Sequence, residues 1–158
     1  MATLGTFTSG QVLTASELNK LNNVTALWDV NYQSISTVTP TAITFGAGTE
    51  VVDVSDWHST TTNPERITPN IGGIYLVVAS HQLVYAGSTI AYEVAIWKNG
   101  TQISGSLSDG GFYPGATAAI VVYLNGSTDY VYSSAYQSSG SNQNVFRRAF
   151  SCTLLRTA

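Results

Sequence analysis

The sequence predicts an all-β sandwich of about eight to ten antiparallel strands, preceded by one short helix. Short runs rich in Val, Ile, Thr and Tyr alternate with Gly-, Ser- and Asn-rich breaks along most of the chain. Two Asn-Gly pairs, Asn99-Gly100 and Asn125-Gly126, each predict a tight hairpin turn. No helical periodicity follows residue 28. These observations together indicate strands that close over one shared core.

Composition fits one compact domain with a short extension. The chain has 158 residues, of which 44% are hydrophobic, so a sizeable core is expected. Only 9% of the residues are charged, against about 25% in ordinary domains. The net charge is -3, and the one basic pair, Arg147-Arg148, points to opposite faces of a strand. Nucleic-acid binding, which needs clustered cations, is therefore not expected.

The most informative stretch is the strand predicted over residues 74–79, after a corner at Pro69 and Gly72-Gly73. A strand with one buried face alternates apolar and polar residues, whereas this one is apolar throughout. Its two faces carry Ile74, Leu76 and Val78, and Tyr75, Val77 and Ala79. One cover is the opposing sheet, and the other could be a neighbouring subunit.

A helix is predicted over about residues 15–28, because Thr14 and Glu17 have the spacing of a capping box. Leu18, Leu21 and Trp28 fall on one face of that helix. The helix either covers its own sandwich or docks on another protein. The second alternative is favoured, because a closed sandwich leaves a short upstream helix little core to fill.

The predicted organisation has three parts. Residues 1–28 form an N-terminal anchoring segment with the helix, and residues 29–42, rich in Ser and Thr with one Pro, form a linker. Residues 43–158 form the sandwich.

A family resemblance appears at Arg66-Ile67-Thr68-Pro69, Gly73 and Tyr75, followed by the Trp97-Lys98-Asn99-Gly100 turn. This order resembles the trimeric jelly-roll heads of the complement globular-head and tumour-necrosis-factor superfamily, which has phage and bacterial members. The segment 57–64 also looks like the phage versions. The resemblance implies a jelly roll and a homotrimer around a three-fold axis. The trimer interface is predicted to contain apolar and aromatic strand residues, namely Tyr75, Val77, His81, Tyr132 and Phe150.

The N-terminal segment has a second resemblance. Its pattern, with Phe7, Gly10, Leu13-Thr14-Ala15 and Leu18-Asn19, looks like the start of many phage tail and fibre proteins. The resemblance implies attachment to the virion. The residues predicted to hold the chain there are Phe7, Leu13, Leu18, Leu21 and Trp28.

No catalytic, cofactor or metal site is predicted. His58 and His81 lack convergent ligand partners, and Cys152 lies on an apolar strand face. Asp53 and Asp56 are expected to be solvated loop carboxylates. Three aromatic residues in loops either contact a receptor or pack onto the sandwich, with neither alternative favoured: Trp57, Phe112 and Tyr113.

The expected function is that of a non-enzymatic structural protein of a phage particle. It would form a homotrimeric fibre or knob on the virion surface and contribute to host attachment. No secretory signal is visible, which fits synthesis in the host cytoplasm. Expected partners are other copies, other phage structural proteins and a host-surface glycan or protein, with no nucleic acid and no membrane insertion. The alternatives are a capsid decoration or head-fibre protein that stabilises the particle and, less favoured, a glycan-degrading enzyme.

Overall fold

A computed structural model of the chain describes residues 23–84, 90–109 and 113–158. Within these ranges no helix has the length and apolar character needed to cross a membrane. The described residues form eleven β-strands: β1 (Val24–Asp29), β2 (Gln33–Ile35), β3 (Thr41–Ala42), β4 (Glu50–Asp53), β5 (Arg66–Ile67), β6 (Gly73–Val84), β7 (Ala91–Lys98), β8 (Thr101–Asp109), β9 (Gly115–Leu124), β10 (Val131–Gln137) and β11 (Gln143–Thr157).

The strands form two antiparallel sheets. The six-stranded sheet has the order β4-β1-β11-β6-β9, with β2 also pairing with β11. The five-stranded sheet has the order β3-β10-β7-β8, with β5 also pairing with β10. Apolar side chains from the inner faces of both sheets make one core, so the predicted all-β sandwich is confirmed.

The predicted N-terminal helix is wrong where the structure describes it. Residues 24–29 form β1, which pairs with β11 from Val24↔Thr153 to Asp29↔Arg148. Thr25, Leu27 and Asp29 point inward with the alternation of a strand. The earlier part of the predicted helix, residues 15–22, lies outside the described residues.

The predicted linker is also part of the sandwich. β2 pairs with the start of β11, and β3 pairs with β10. Ile35 is buried in the common core. The predicted boundary before residue 43 therefore falls inside the domain, which includes residues from at least Asn23 onward.

Of the two predicted hairpin turns, one is confirmed. Asn99 and Gly100 adopt φ values of +49° and +83° and join β7 to β8. Asn125-Gly126 instead connects β9 to β10, which lie in different sheets. That prediction was wrong because an Asn-Gly pair specifies a local reversal and not the partner of the next strand.

The sandwich has two distinct ends. At the basal end, the Leu154 amide donates to the Asn23 carbonyl and the Ala158 amide donates to the Gly72 carbonyl. At the distal end, Val84 is opposite Asn144, and Gly115 is opposite Gln82. The chain therefore enters the described domain and ends at the same, basal, end.

Candidate functional site: the outer face of the six-stranded sheet

The outer surface of the six-stranded sheet is apolar. β6 alternates strictly, with Tyr75 and its odd-numbered neighbours inside and Leu76 and its even-numbered neighbours outside. On β9, Val121 lies opposite Leu76, so it points outward too. We call this surface the apolar face and define it by its large side chains: Trp28, Val51, Ile74, Leu76, Val78, Val121 and Tyr123.

Several of these side chains are strongly exposed in the single chain. Val51 is 69% exposed, Val121 58%, Tyr123 48% and Trp28 44%. Scattered exposed apolar residues are ordinary, but a contiguous set on one sheet face marks an interaction surface.

A shallow groove of about 280 Å³ crosses the apolar face. Small residues of β11, Ala149 and Ser151, lie between Trp28 on β1 and Val78 on β6. Val51 borders the same groove. Small residues flanked by larger ones make a depression that can accept a side chain from another polypeptide.

Four of the five predicted interface residues were assigned to the wrong face. Tyr75, Val77, His81 and Phe150 are each no more than 1% exposed. They pack against the five-stranded sheet inside one chain, so they cannot contact a second copy. On β6, which holds three of these four residues, the outward side chains are the even-numbered ones, among them Ile74 and Val78.

The fifth residue, Tyr132, lies on the outer face of the other sheet. Its ring stacks on Trp97 at 5.8 Å between centroids and on Tyr130 at 6.3 Å. The Arg66 guanidinium carbon lies 4.1 Å from the centre of the Tyr130 ring. Trp97 also donates from its indole nitrogen to Ser134 Oγ at 2.7 Å. These aromatic rings therefore pack against side chains of their own chain.

The predicted receptor contacts separate into three outcomes. Trp57 is 2% exposed, and its ring meets Tyr75 edge-on at 5.5 Å while its indole nitrogen donates to Asn70 Oδ1 at 2.9 Å. Of the two alternatives left open for Trp57, packing onto the sandwich is the one observed, and contact with a receptor is excluded by its burial. Tyr113 is 50% exposed at the distal end, and Phe112 lies outside the described residues.

The predicted virion-anchoring residues lie mostly outside the described part of the chain. Phe7, Leu13, Leu18 and Leu21 all precede residue 23. Trp28 is described, but it belongs to β1 and lies on the apolar face.

Asp53, which was expected to be a solvated loop carboxylate, is instead the last residue of β4, and its carboxylate is engaged in hydrogen bonds. Asp53 accepts from Thr25 Oγ1 at 2.6 Å and from the amides of Trp57 and His58, each at 3.0 Å. His58 contacts Glu50 at 2.7 Å and the Pro64 carbonyl at 3.1 Å. These contacts organise the loop between β4 and β5. Among the described residues, no group of three or more His, Cys, Asp or Glu side chains could hold a metal ion.

Burial favours the neutral forms of His81 and Cys152. Burial, reinforced by the nearby Arg148 charge, lowers the pKa of His81 to about 3. The His81 ring contacts Ser133 Oγ at 3.0 Å across the core. Burial also raises the pKa of the Cys152 thiol, which removes its nucleophilic form at neutral pH.

One buried ion pair joins the N-terminal strands to β11. Arg148 contacts the Asp29 carboxylate and donates to Gln33 Oε1 at 2.6 Å and to the Thr44 carbonyl at 2.9 Å. Burial lowers the pKa of Arg148, and the Asp29 charge partly offsets that effect. Sequence reasoning missed this group, because its signal was only a basic pair in the last strand.

Comparison with known proteins identifies the fold. No protein-family model and no curated protein matches the chain. Among solved structures, the globular domain of zebrafish complement 1qA protein is 11% identical with a TM-score of 0.57 and covers 86% of this chain and 99% of its own. Murine APRIL is 15% identical with a TM-score of 0.62, and the match covers 85% of this chain and 99% of the APRIL chain. The vertex protein P5 of phage PRD1 is 13% identical with a TM-score of 0.62, and the match covers 85% of this chain and 97% of the P5 chain. At these identities the likeness shows the fold alone, and that fold is a jelly roll of the complement and tumour-necrosis-factor type.

Proposed function

We propose that this chain is a non-enzymatic structural protein of a phage particle and that it assembles as a homotrimer through the apolar face. The observation that carries the proposal is the exposed, contiguous apolar surface of the six-stranded sheet. Leaving such a surface in water is unfavourable, and burying it against another copy removes that cost. The resemblance to trimeric jelly-roll heads favours three copies around one axis.

The placement on a virion has separate support. A vertex protein of a phage is among the structures with this fold. The N-terminal segment resembles the starts of phage tail and fibre proteins, and the described domain begins at the basal end. An anchor attached there would direct the distal end away from the particle.

This polarity supports a role in host attachment. Three heads on one axis present three copies of any distal binding site in a fixed arrangement. Weak single sites then gain strength by avidity on a repetitive cell envelope. The engaged state of Asp53 and His58 supports a binding role over glycan hydrolysis.

The test is the molar mass in solution, by light scattering, of the full chain and two matched variants. The wild type is expected at about three times its 16.8 kDa chain mass. Val78→Asp places a charge in the apolar face and is expected to give a monomer, because an unpaired buried charge opposes association. Leu107→Asp changes a 67% exposed residue on the five-stranded sheet and should leave the trimer intact.

A monomeric wild type would refute the assembly, and a Val78→Asp trimer would refute the assigned face. The virion assignment is tested separately, by mass spectrometry of purified phage particles. Absence of the chain from those particles would contradict it.

A further inference from the structure

The distal end of the six-stranded sheet carries an aromatic pocket of about 290 Å³. Phe146 lies at its centre, with Tyr32 at 5.9 Å and Tyr113 at 6.2 Å, both edge-on to the Phe146 ring. The pocket, which we call the distal pocket, is lined by Tyr32, Gln82, Val84, Tyr113, Phe146 and Arg147.

A β-bulge brings two consecutive side chains into this pocket. Phe146 pairs with Gln82 and Ala149 pairs with Ser80, so β11 has one extra residue against β6 at this point. Neighbouring residues of a regular strand point to opposite faces. The bulge instead lets Phe146 and Arg147 line the same pocket, which is a known use of bulges at functional sites.

Two of the lining residues have unfavourable backbone conformations. Tyr113 has φ +56° and Arg147 has φ +48°. Bulky residues rarely adopt positive φ, and such conformations persist where surrounding structure or function requires them. Both residues contribute large side chains to one pocket.

Among the described lining residues of the distal pocket, Arg147 alone is charged. The Arg147 guanidinium carbon lies 5.1 Å from the centre of the Phe146 ring, and one of its nitrogens is 3.4 Å from Gln82 Oε1. No carboxylate is among the lining residues. A guanidinium held beside aromatic rings suits a ligand that combines an anionic group with an apolar face.

We propose that the distal pocket binds an anionic saccharide. The rings of Tyr32 and Tyr113 would contact the C–H face of the sugar, and Arg147 would pair with its carboxylate or phosphate through two parallel hydrogen bonds. The biological use of this site rests on the proposed function, since it is the distal end that would face the host.

The test is saturation-transfer NMR on the full chain with three probes: D-glucuronate, glucose 6-phosphate and glucose. Glucuronate, glucose 6-phosphate or both should give a stronger signal than glucose, and which one does identifies the anionic group. In Arg147→Gln that excess should fall roughly tenfold. Arg156→Gln, an exposed arginine at the basal end, is the matched control and should bind as the wild type does.

A second variant separates binding from folding. Arg147→Gly suits the positive φ, so it is expected to melt at or above the wild-type temperature while losing the preference for anionic sugars. Equal signals from all three probes, no signal from any of them, or wild-type binding by Arg147→Gln would overturn the proposal.

Measuring both the molar mass and the sugar binding of the same samples separates the saccharide site from the trimer. A trimer that binds no anionic sugar would refute the distal pocket alone, and a monomer that binds one would refute the trimer alone. The pocket adjoins the apolar face, so a subunit contact is the competing role. A lower molar mass of Arg147→Gln would assign the pocket to that contact and refute the saccharide site.

Discussion

The two sheets of this jelly roll have opposite kinds of outer surface. On the five-stranded sheet, several outward side chains find partners in their own chain: Glu93 accepts from Gln102 at 2.8 Å, and Trp97 donates to Ser134 and stacks on Tyr132. On the six-stranded sheet, the outward side chains are mainly aliphatic, and Val121 is 58% exposed. A sheet face that is internally satisfied suits water, whereas the apolar face suits another protein surface.

This difference shows how one strand can serve two interfaces. β6 is apolar on both sides because its odd residues fill the core and its even residues form the apolar face. Its composition thus fits both folding and the proposed assembly. A free monomer would need only the first of these.

The largest effect is expected from removing the Asp29 carboxylate, which binds β1 to β11 through Arg148. β1 is the strand that carries Trp28. Asp29→Ala leaves the Arg148 charge buried without its ionic partner. The free energy of unfolding, from urea titration, is expected to fall by roughly 3–5 kcal/mol. Loss of the proposed trimer should accompany it, because β1 contributes Trp28 to the apolar face.

The control for this variant is on the other outer face. Glu93→Ala removes an exposed hydrogen bond to Gln102 and should cost less than about 1 kcal/mol. Equal losses in the two variants would contradict a special role for the Asp29–Arg148 pair.

The stability of the core between the two sheets is expected to depend on pH, because His81 is buried there. Its pKa is about 3 in the folded chain and about 6.5 when unfolded, so below pH 6.5 the unfolded chain binds more protons. The contribution of His81 to the free energy of unfolding is therefore fully present above about pH 6.5. It is lost as the pH falls toward 3, by up to about 1.4 kcal/mol per pH unit, which is the value for one proton.

Urea titrations across pH 3–7 measure this effect. His81→Gln retains a polar group near Ser133 but cannot take up a proton there, so its stability should fall less steeply with acid. A variant with the same slope as the wild type would show that other groups, and not His81, cause the acid loss.

The sequence was sufficient for the fold class because that class depends on local and repeated signals. Asn99-Gly100 produced the predicted hairpin since both residues accept positive φ. The two apolar faces of β6 were also predictable from residues 74–79. Their assignment was not, because which face meets the opposing sheet depends on the pairing of β6 with β9 and β11, strands distant in sequence.

The errors at β1 and the distal pocket have related causes. Apolar residues at 24 and 28 fit a helical spacing and also one face of a strand, and pairing with β11 decides between them. No glycine marks the bulge at Phe146 and Arg147, so the sequence predicted Arg147 and Arg148 only as residues on opposite faces. The polar loop of Trp57 left its position open between a receptor contact and packing onto the sandwich. Hydrogen bonds to Asp53 fold that loop onto the core.

The apolar face is tested most directly by oxidative footprinting of the three tryptophans in the intact protein. Trp57 is buried in the core, Trp97 is half-buried on the five-stranded sheet, and Trp28 is 44% exposed on the apolar face of a single chain. If the apolar face is buried in a trimer, Trp28 will be protected nearly as well as Trp57 while Trp97 reacts, and Val78→Asp will restore the reactivity of Trp28. Oxidation of Trp28 at least as fast as that of Trp97 in the wild-type protein would contradict assembly through this face.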